Sequence, residues 1–286
     1  MFDPTELAVL RRAYARQVMF LGGSVNPALE TAYAEVRRED YLGPGPWEIL
    51  RWPGGYRTTP DADPAWLYAD VLVGIVAARQ LNNGQPSAHA TWIGAAAPKP
   101  GEHVVHVGAG VGYYSAILAH MAGPRGSLTA IEFDPGLAAR AAANLCCLPS
   151  ARVLHGDGAA IAFAPADVIY VNAGASRPAP AWLDGLRDGG RLILPLTTEA
   201  NFAVPAGGPT GAVFRITRRG DDFQADVIGP IAVFPCEGAR DEASERALAA
   251  AFGRGGFERV RRLRRTDAVR DEDCWVKAPG WSLTYH

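Results

Sequence analysis

Three things are scarce in this 286-residue sequence: cysteine, net charge and long apolar segments. The four cysteines have no regular spacing, and the adjacent pair Cys146 and Cys147 forms neither a zinc knuckle nor a Cys-x-x-Cys redox motif. We therefore expect reduced thiols and a cytoplasmic protein. The formal net charge of −2 argues against a broad electrostatic surface for nucleic acid. No apolar segment approaches membrane-spanning length, and Asp3 stands where a signal peptide needs a basic residue, so we expect no membrane association.

What is present indicates an ordinary globular protein. Hydrophobic residues make up 48% of the chain and charged residues 20%, which suits one large domain, or one domain with an addition, around a sizeable core. His103 and His106 are the histidine pair closest in sequence to a metal-binding spacing. Residues three apart on a strand face opposite sides, so these two cannot share an ion, and we expect no metal site.

The chain is organised around a glycine-rich turn, Gly-Ala-Gly-Val-Gly at residues 108–112. A β-branched segment, residues 103–107, precedes the turn, and an apolar segment that predicts a helix, residues 113–118, follows it. Glycine lets the backbone turn tightly and lets a ligand approach without a Cβ atom in the way. A dinucleotide-binding turn would read Gly-x-Gly-x-x-Gly, but Tyr113 stands at the third glycine position. The spacing found here is typical of S-adenosylmethionine (AdoMet) enzymes. The glycines expected to bind the cofactor are Gly108, Gly110 and Gly112.

Polar side chains follow the next three predicted strands. The second strand ends at Glu132, the third leads into Gly156, Asp157 and Gly158, and the fourth ends at Asn172. In an open α/β sheet, ligands lie at the carboxyl ends of the strands, where an acid can accept both hydrogen bonds of a ribose diol. We therefore expect Glu132 to bind the ribose of AdoMet and Asp157 to bind its adenine amino group. Gly158 and Asn172 complete the predicted cofactor site.

Strands and helices alternate between residues 103 and 197, which predicts an α/β fold with a Rossmann-like parallel sheet and helices on both faces. Residues 212–234 then predict an antiparallel hairpin that completes the sheet. We expect three regions. They are an N-terminal helical cap and loop region (residues 1–80), an AdoMet-binding domain (residues 81–236) and a C-terminal extension (residues 237–286).

Local signals in the N-terminal region are strong at some positions and weak at others. Asp3 and Glu6 have the spacing of a capping box at the start of a helix. Residues 37–40 are expected at the exposed end of a second helix. Residues 65–78 are apolar and predict a helix near their middle, and residues 88–97 predict the helix that leads to the first strand of the sheet.

The order of these motifs resembles the protein-L-isoaspartate (D-aspartate) O-methyltransferase family from about residue 10 to residue 235. The resemblance rests on residues 99–113, the strand end at Glu132, the Gly-Asp-Gly at residues 156–158, Leu-Arg-Asp-Gly-Gly-Arg-Leu-Ile-Leu-Pro at residues 186–195, a pre-core signature at residues 37–41 and a loop, Asn-Gly-Gln-Pro-Ser, at residues 83–87. It implies a class I methyltransferase fold, AdoMet as cofactor, and carboxyl O-methylation of isoaspartyl residues in proteins or peptides.

The resemblance also implies roles for the loop. Ser87 lies where the family has an active-site serine, and it is the candidate catalytic residue; a helix-capping role is the alternative. Its hydroxyl could donate to one oxygen of the acceptor carboxylate while the other oxygen attacks. A carboxylate is already ionised at pH 7 and needs no general base. Asn83, Gln85 and His89 are the candidate substrate-binding residues.

Departures from the family pattern leave other functions open. His106 stands where an acid usually precedes the turn, the loop is shorter than the usual Gly-x-Thr-Ile-Ser, and Asn172 stands where a small hydroxyl residue is common. The acceptor could instead be a dedicated biosynthetic peptide, a small molecule or an RNA base, although the net charge disfavours RNA. The chain could also be a non-catalytic AdoMet-binding module. The sequence does not determine its oligomeric state.

Overall fold

The computed structural model describes residues 2–51, 54–199, 210–236 and 238–286. The described residues form eight α-helices and fourteen strands. The helices are α1 (Pro4–Leu21), α2 (Pro27–Glu35), α3 (Glu39–Leu42), α4 (Pro86–Ala96), α5 (Tyr113–Ala122), α6 (Pro135–Asn144), α7 (Pro180–Gly185) and α8 (Glu242–Arg254). The strands are β1 (Glu48–Arg51), β2 (Gly55–Thr58), β3 (Gly74–Val76), β4 (Leu81–Asn82), β5 (His103–Val107), β6 (Ser127–Glu132), β7 (Ala151–His155), β8 (Ala166–Val171), β9 (Leu186–Thr197), β10 (Gly211–Arg219), β11 (Asp222–Pro230), β12 (Arg262–Arg264), β13 (Cys274–Ala278) and β14 (Trp281–Thr284).

Ten of these strands form one mixed sheet in the order β13-β14-β12-β11-β10-β9-β8-β5-β6-β7. The half from β7 to β9 is parallel, and β10 to β14 continue it with antiparallel pairs. The order reverses at β5, because β6 lies on one side of it and β8 on the other. A crevice opens at the carboxyl ends of the strands at such a reversal, which is where α/β proteins bind ligands.

Helices cover both faces of the sheet, as the sequence predicted. Residues of β8 alternate between two cores: Val168 and Tyr170 enter one, and Ile169 and Val171 enter the other. Helices α1, α2, α4, α5 and α6 contribute to the first core, and α7 and α8 to the second. The α/β fold class is confirmed.

Several local predictions are confirmed and two are wrong. Asp3 caps α1 with a complete capping box, and α4 covers most of residues 88–97. Residues 65–78 do not form an α-helix: a 3-10 turn is followed by β3, in which the β-branched residue Val76 pairs with Leu81 of β4. Residues 37–40 are not all exposed either. Arg38 is completely buried, and its guanidinium group donates hydrogen bonds to backbone carbonyls that replace its contacts with water.

The C-terminal region continues the central sheet. Residues Phe223 and Gln224 of β11 pair with β12, which in turn pairs with β14. The boundaries of the three predicted regions stay a prediction. Among the described helices, none combines the length and apolar character that a membrane span requires.

Candidate functional site at the carboxyl edge of the sheet

The glycine turn lies between β5 and α5 and has a backbone that other residues adopt poorly. Gly108, Gly110 and Gly112 have φ angles of 76°, 57° and 92°, in the left-handed region that glycine adopts without strain. A Cβ atom on Gly108 would lie 3.0 Å from the carbonyl oxygen of Asn172. The turn is therefore bare of side chains where it faces the edge of the sheet.

Glu132, at the end of β6, is bound to this turn. One carboxylate oxygen, Oε2, accepts the N–H of Gly110 at 2.7 Å, and Oε1 accepts the N–H of Asp134 at 2.9 Å. Glu132 is only 8% exposed. Burial raises the pKa of Glu132, and the backbone N–H groups oppose that rise. The structure thus fixes the orientation of the carboxylate.

Asp157 and Asn172 border the same edge. Glu132 pairs with His155 across β6 and β7, which places Asp157 just beyond the end of the neighbouring strand. Asp157 Oδ1 accepts the N–H of Ala159 at 2.8 Å. Asn172 follows β8, and its Nδ2 donates to the carbonyl oxygen of Gly108 at 3.4 Å. The structure therefore brings the predicted cofactor residues together at the carboxyl ends of four adjacent strands.

Gly158 and Phe133 shape the edge in different ways. A Cβ atom on Gly158 would lie 2.4 Å from Cγ1 of Val107, so only glycine fits beside β5 at this position. Phe133, directly after Glu132, keeps an aromatic ring 52% exposed. Phe133 was not predicted as a site residue, because the local sequence does not distinguish a buried phenylalanine from an exposed one. This exposed ring, between Glu132 and Asp134 in the chain, offers a flat face for a planar ligand.

The predicted active-site loop is held by an aspartate that sequence reasoning missed. Ser87 Oγ donates to Oδ2 of Asp70 at 2.7 Å, and the Ser87 backbone N–H donates to Oδ1 at 2.8 Å. Gln85 Nε2 donates to Oδ2 as well, at 2.8 Å. Asp70 thus satisfies the first turn of α4, which starts at Pro86 without a side-chain cap from Gln85. No local signal marks Asp70, because its partners are 15 and 17 residues away.

The remaining candidates, Asn83 and His89, are buried beside this loop. The Asn83 backbone N–H donates to Val73, while its Nδ2 has no hydrogen-bond partner among the described residues. The His89 ring stacks on Tyr114 at 3.4 Å, and its Nδ1 shares a 2.8 Å hydrogen bond with the Tyr170 hydroxyl.

His89 also determines what can stand at residue 84. A Cβ atom on Gly84 would lie only 2.3 Å from Nε2 of His89. With a φ angle of 72°, this position requires glycine for steric and conformational reasons together. The turn from β4 into α4 therefore depends on Gly84.

His106 is buried close to His89 and shares a 2.8 Å hydrogen bond between its Nδ1 and Ser115 Oγ. Burial lowers the pKa of His106 to about 3 and lowers the pKa of His89 well below its usual value. Both side chains are therefore neutral in the folded protein at pH 7.

These two histidines should make the protein less stable in acid. Below pH 6.5 the unfolded chain takes up protons that the folded protein does not, so the free energy of unfolding falls as the pH drops. Each histidine should contribute up to about 1.4 kcal/mol per pH unit below that value. Urea unfolding at several pH values between 7 and 5 gives the free energy of unfolding as a function of pH. This free energy should fall less steeply with decreasing pH in His106→Gln than in wild type. Equal slopes would contradict the buried, neutral state of His106.

Comparisons with known proteins identify the family to which this chain is similar. The protein-L-isoaspartate(D-aspartate) O-methyltransferase family pattern matches residues 64–205. The protein-L-isoaspartate O-methyltransferase of Methylorubrum populi is 40% identical over 172 residues, 59% of this chain and 74% of that protein. The chain belongs to this family. The enzyme of the same name from Ignicoccus hospitalis is 31% identical over 172 residues and is covered to 77%.

Solved structures show the same fold at lower identity. The solved structure of a protein-L-isoaspartate O-methyltransferase aligns with 80% of the present chain and with 66% of its own chain. The TM-score is 0.65 at 20% identity. A second, from Plasmodium falciparum in complex with S-adenosyl-L-homocysteine, matches 79% of this chain and 98% of its own, with a TM-score of 0.61 at 16% identity. The class I methyltransferase fold is thereby confirmed.

Proposed function

We propose that this family member transfers a methyl group from AdoMet to a carboxylate oxygen of isoaspartyl residues in proteins or peptides. The observation that carries the proposal is the hydrogen bond from the glycine turn to Glu132, with Asp157 just beyond the end of the neighbouring strand. Relatives named protein-L-isoaspartate O-methyltransferase support the choice of acceptor. A cytoplasmic location belongs to the same proposal, and the net charge of −2 gives no support to a nucleic-acid acceptor.

The residues present fit AdoMet. A carboxylate has about four acceptor positions, so Glu132 can bind a ribose diol in addition to the N–H groups of Gly110 and Asp134. Helix α5 starts at Tyr113, directly after the turn, and its first N–H groups lack partners within the helix. Phe133 and Asp157 would bind the adenine ring and its amino group. When bound, AdoMet supplies a methyl group on a positively charged sulfur.

The chain does not need to supply a base for this reaction. An isoaspartyl carboxylate is ionised at neutral pH, so the protein has only to orient it and exclude water. Burial lowers the pKa of His89 well below its usual value, so its imidazole is a weak base, and its Nδ1 is already hydrogen-bonded to Tyr170. An orienting role therefore suits it better than proton abstraction from an amine. Substrate contacts by Asn83, Gln85 and His89, and the catalytic role of Ser87, stay predictions.

The product of methyl transfer tests the proposed function. Purified protein incubated with methyl-labelled AdoMet and an isoaspartyl peptide should yield label that mild alkali releases as methanol. The same peptide with normal aspartate serves as the control and should accept far less label. Alkali-stable label would favour N-methylation or an RNA base instead. Bound AdoMet without any labelled acceptor would favour a non-catalytic binding module.

Replacing Ser87 with alanine separates its two candidate roles. If the hydroxyl contacts the acceptor, turnover should fall while the affinity for S-adenosyl-L-homocysteine stays unchanged. Loss of the hydrogen bond to Asp70 should also lower the free energy of unfolding by about 1–2 kcal/mol. Thr91→Val is the matched control, because it removes a hydroxyl of the same helix that bonds only backbone carbonyls. Turnover within about twofold of wild type, a barrier change of about 0.4 kcal/mol, would leave Ser87 only a structural role.

A further inference from the structure

Cys146 and Cys147 are two exposed thiols at the end of α6. The turn that they occupy is closed by a 2.9 Å hydrogen bond from the N–H of Leu148 to the carbonyl of Leu145, with the cysteines at its two central positions. Their Sγ atoms are 3.7 Å apart. Two accessible thiols at this separation can react with the same oxidant molecule in succession.

The turn that carries the two thiols is in contact with the glycine turn. Leu145 is buried, and a Cβ atom on Gly112 would lie 3.2 Å from its Cδ1 atom, so the two residues are packed against each other. Asn144 Nδ2 donates to the carbonyl oxygen of Val111 at 2.8 Å and to that of Tyr41 at 3.2 Å. The two residues before Cys146 therefore support the backbone of the glycine turn directly.

We propose that Cys146 and Cys147 are a reversible oxidation site through which a peroxide weakens cofactor binding at the glycine turn. The inference rests on the proposed function, because it concerns the same AdoMet site. It differs from the expectation of reduced thiols, which rested on the spacing of the cysteines alone.

The oxidation is a two-step reaction with hydrogen peroxide. The Cys146 thiolate attacks one peroxide oxygen, the O–O bond breaks, and the departing oxygen takes up a proton and leaves as water. The sulfur of Cys147 then attacks the resulting sulfenic acid, an S–S bond forms, and the S–O oxygen leaves as water with the Cys147 proton. Two thiols lose two electrons and two protons, and one peroxide becomes two water molecules. Cys147 shares a hydrogen bond with Cys146, and this hydrogen bond raises the pKa of Cys147, which favours Cys146 as the first nucleophile.

Closing the disulfide requires the turn to change shape. The sulfurs would have to approach from 3.7 Å to about 2.05 Å. Adjacent Cα atoms are about 3.8 Å apart, shorter than the separation of about 4.4–6.8 Å usual for disulfides, so the backbone must absorb the strain. Asn144 and Leu145 precede the pair directly and would transmit the shift to Val111 and Gly112. A strained, exposed disulfide is also easily reduced, which makes the change reversible.

The test measures oxidation and affinity on the same sample. Trypsin cleavage after Arg140 and Arg152 should place both thiols on one peptide, residues 141–152. After treatment with hydrogen peroxide this peptide should lose two hydrogens in mass. Calorimetric affinity for S-adenosyl-L-homocysteine should fall at least fivefold, the lower end of typical coupling between sites, and dithiothreitol should restore it.

Two variants serve as controls. Cys147→Ser should bind S-adenosyl-L-homocysteine like reduced wild type, and its affinity should not respond to peroxide. The double variant Cys236→Ser/Cys274→Ser lacks the two buried thiols and should respond as wild type does. A peptide that gains oxygen instead of losing hydrogens would overturn this inference and leave the proposed function standing. An oxidised protein whose affinity is within twofold of the reduced form would do the same. Reduced wild type that fails to bind S-adenosyl-L-homocysteine would overturn the proposed cofactor as well.

Discussion

Glu132→Ala should weaken binding of S-adenosyl-L-homocysteine by about ten- to more than a hundredfold. The variant removes a charged acceptor of the ribose diol, and a hydrogen bond to a charged group contributes about 1.5–3 kcal/mol. It also leaves the N–H groups of Gly110 and Asp134 without their carboxylate partner, so the glycine turn loses its fixed position. Titration calorimetry measures the loss, and circular dichroism checks that the fold is retained.

Two further variants show where the loss comes from. Glu132→Gln keeps the size of the side chain and one carbonyl acceptor, so its affinity should lie between those of wild type and Glu132→Ala. Asp157→Ala should lose less affinity than Glu132→Ala, because its predicted partner is the neutral adenine amino group. Unchanged affinity in Glu132→Ala would remove Glu132 from the cofactor site.

Arg38→Met should lower the free energy of unfolding by about 3–5 kcal/mol, because it leaves several buried carbonyl oxygens without a donor, at about 1–3 kcal/mol each. Arg38 is fully buried and donates from Nη1 to the carbonyl of Leu67 at 2.9 Å and from Nη2 to that of Val71 at 2.9 Å. Nη1 also donates to Ala69 at 3.3 Å. Methionine fills similar space but donates no hydrogen bonds, so these carbonyls lose their partner.

The loop that Arg38 binds also carries Asp70, the residue that holds Ser87 and Gln85. Arg38→Met should therefore reduce turnover in whatever fraction remains folded. Arg37→Met is the matched control: it is the neighbouring arginine, 55% exposed, and its surface ion pairs should contribute less than about 1 kcal/mol. Urea unfolding compares the two variants. A similar small change in both would mean that the buried hydrogen bonds of Arg38 contribute little stability.

The glycine turn and the acids at the strand ends could be located from the sequence because each is a local pattern. The turn needs glycine at three nearby positions, and Glu132 follows a strand that its β-branched residues already predict. Parallel strands bring their carboxyl ends to one edge, so the order of the motifs along the chain was enough to group them. The α/β fold class and the capped helix α1 could be predicted because they too depend on local sequence patterns.

The loop above that edge was predicted less well, because its contacts join distant segments. Residues 65–78 are apolar enough for a helix, but the partner strand β4 decides in favour of β3. Ser87 was identified as a loop residue without its partner, Asp70, which lies 17 residues away. Nothing within a few residues of either position encodes that contact.

The sequence by itself determined the α/β sheet, the bare glycine turn and the acids beside it, since these depend on backbone conformation and on the period of the strands. Only the tertiary structure decided that Arg38 is buried, that Glu132 is bound by the turn, and that Leu145, directly before the two thiols, packs against Gly112. Burial and hydrogen bonding of a charged side chain depend on which distant segments surround it. The sequence shows that a charged residue is present, but only the packing shows whether its side chain contacts water or protein.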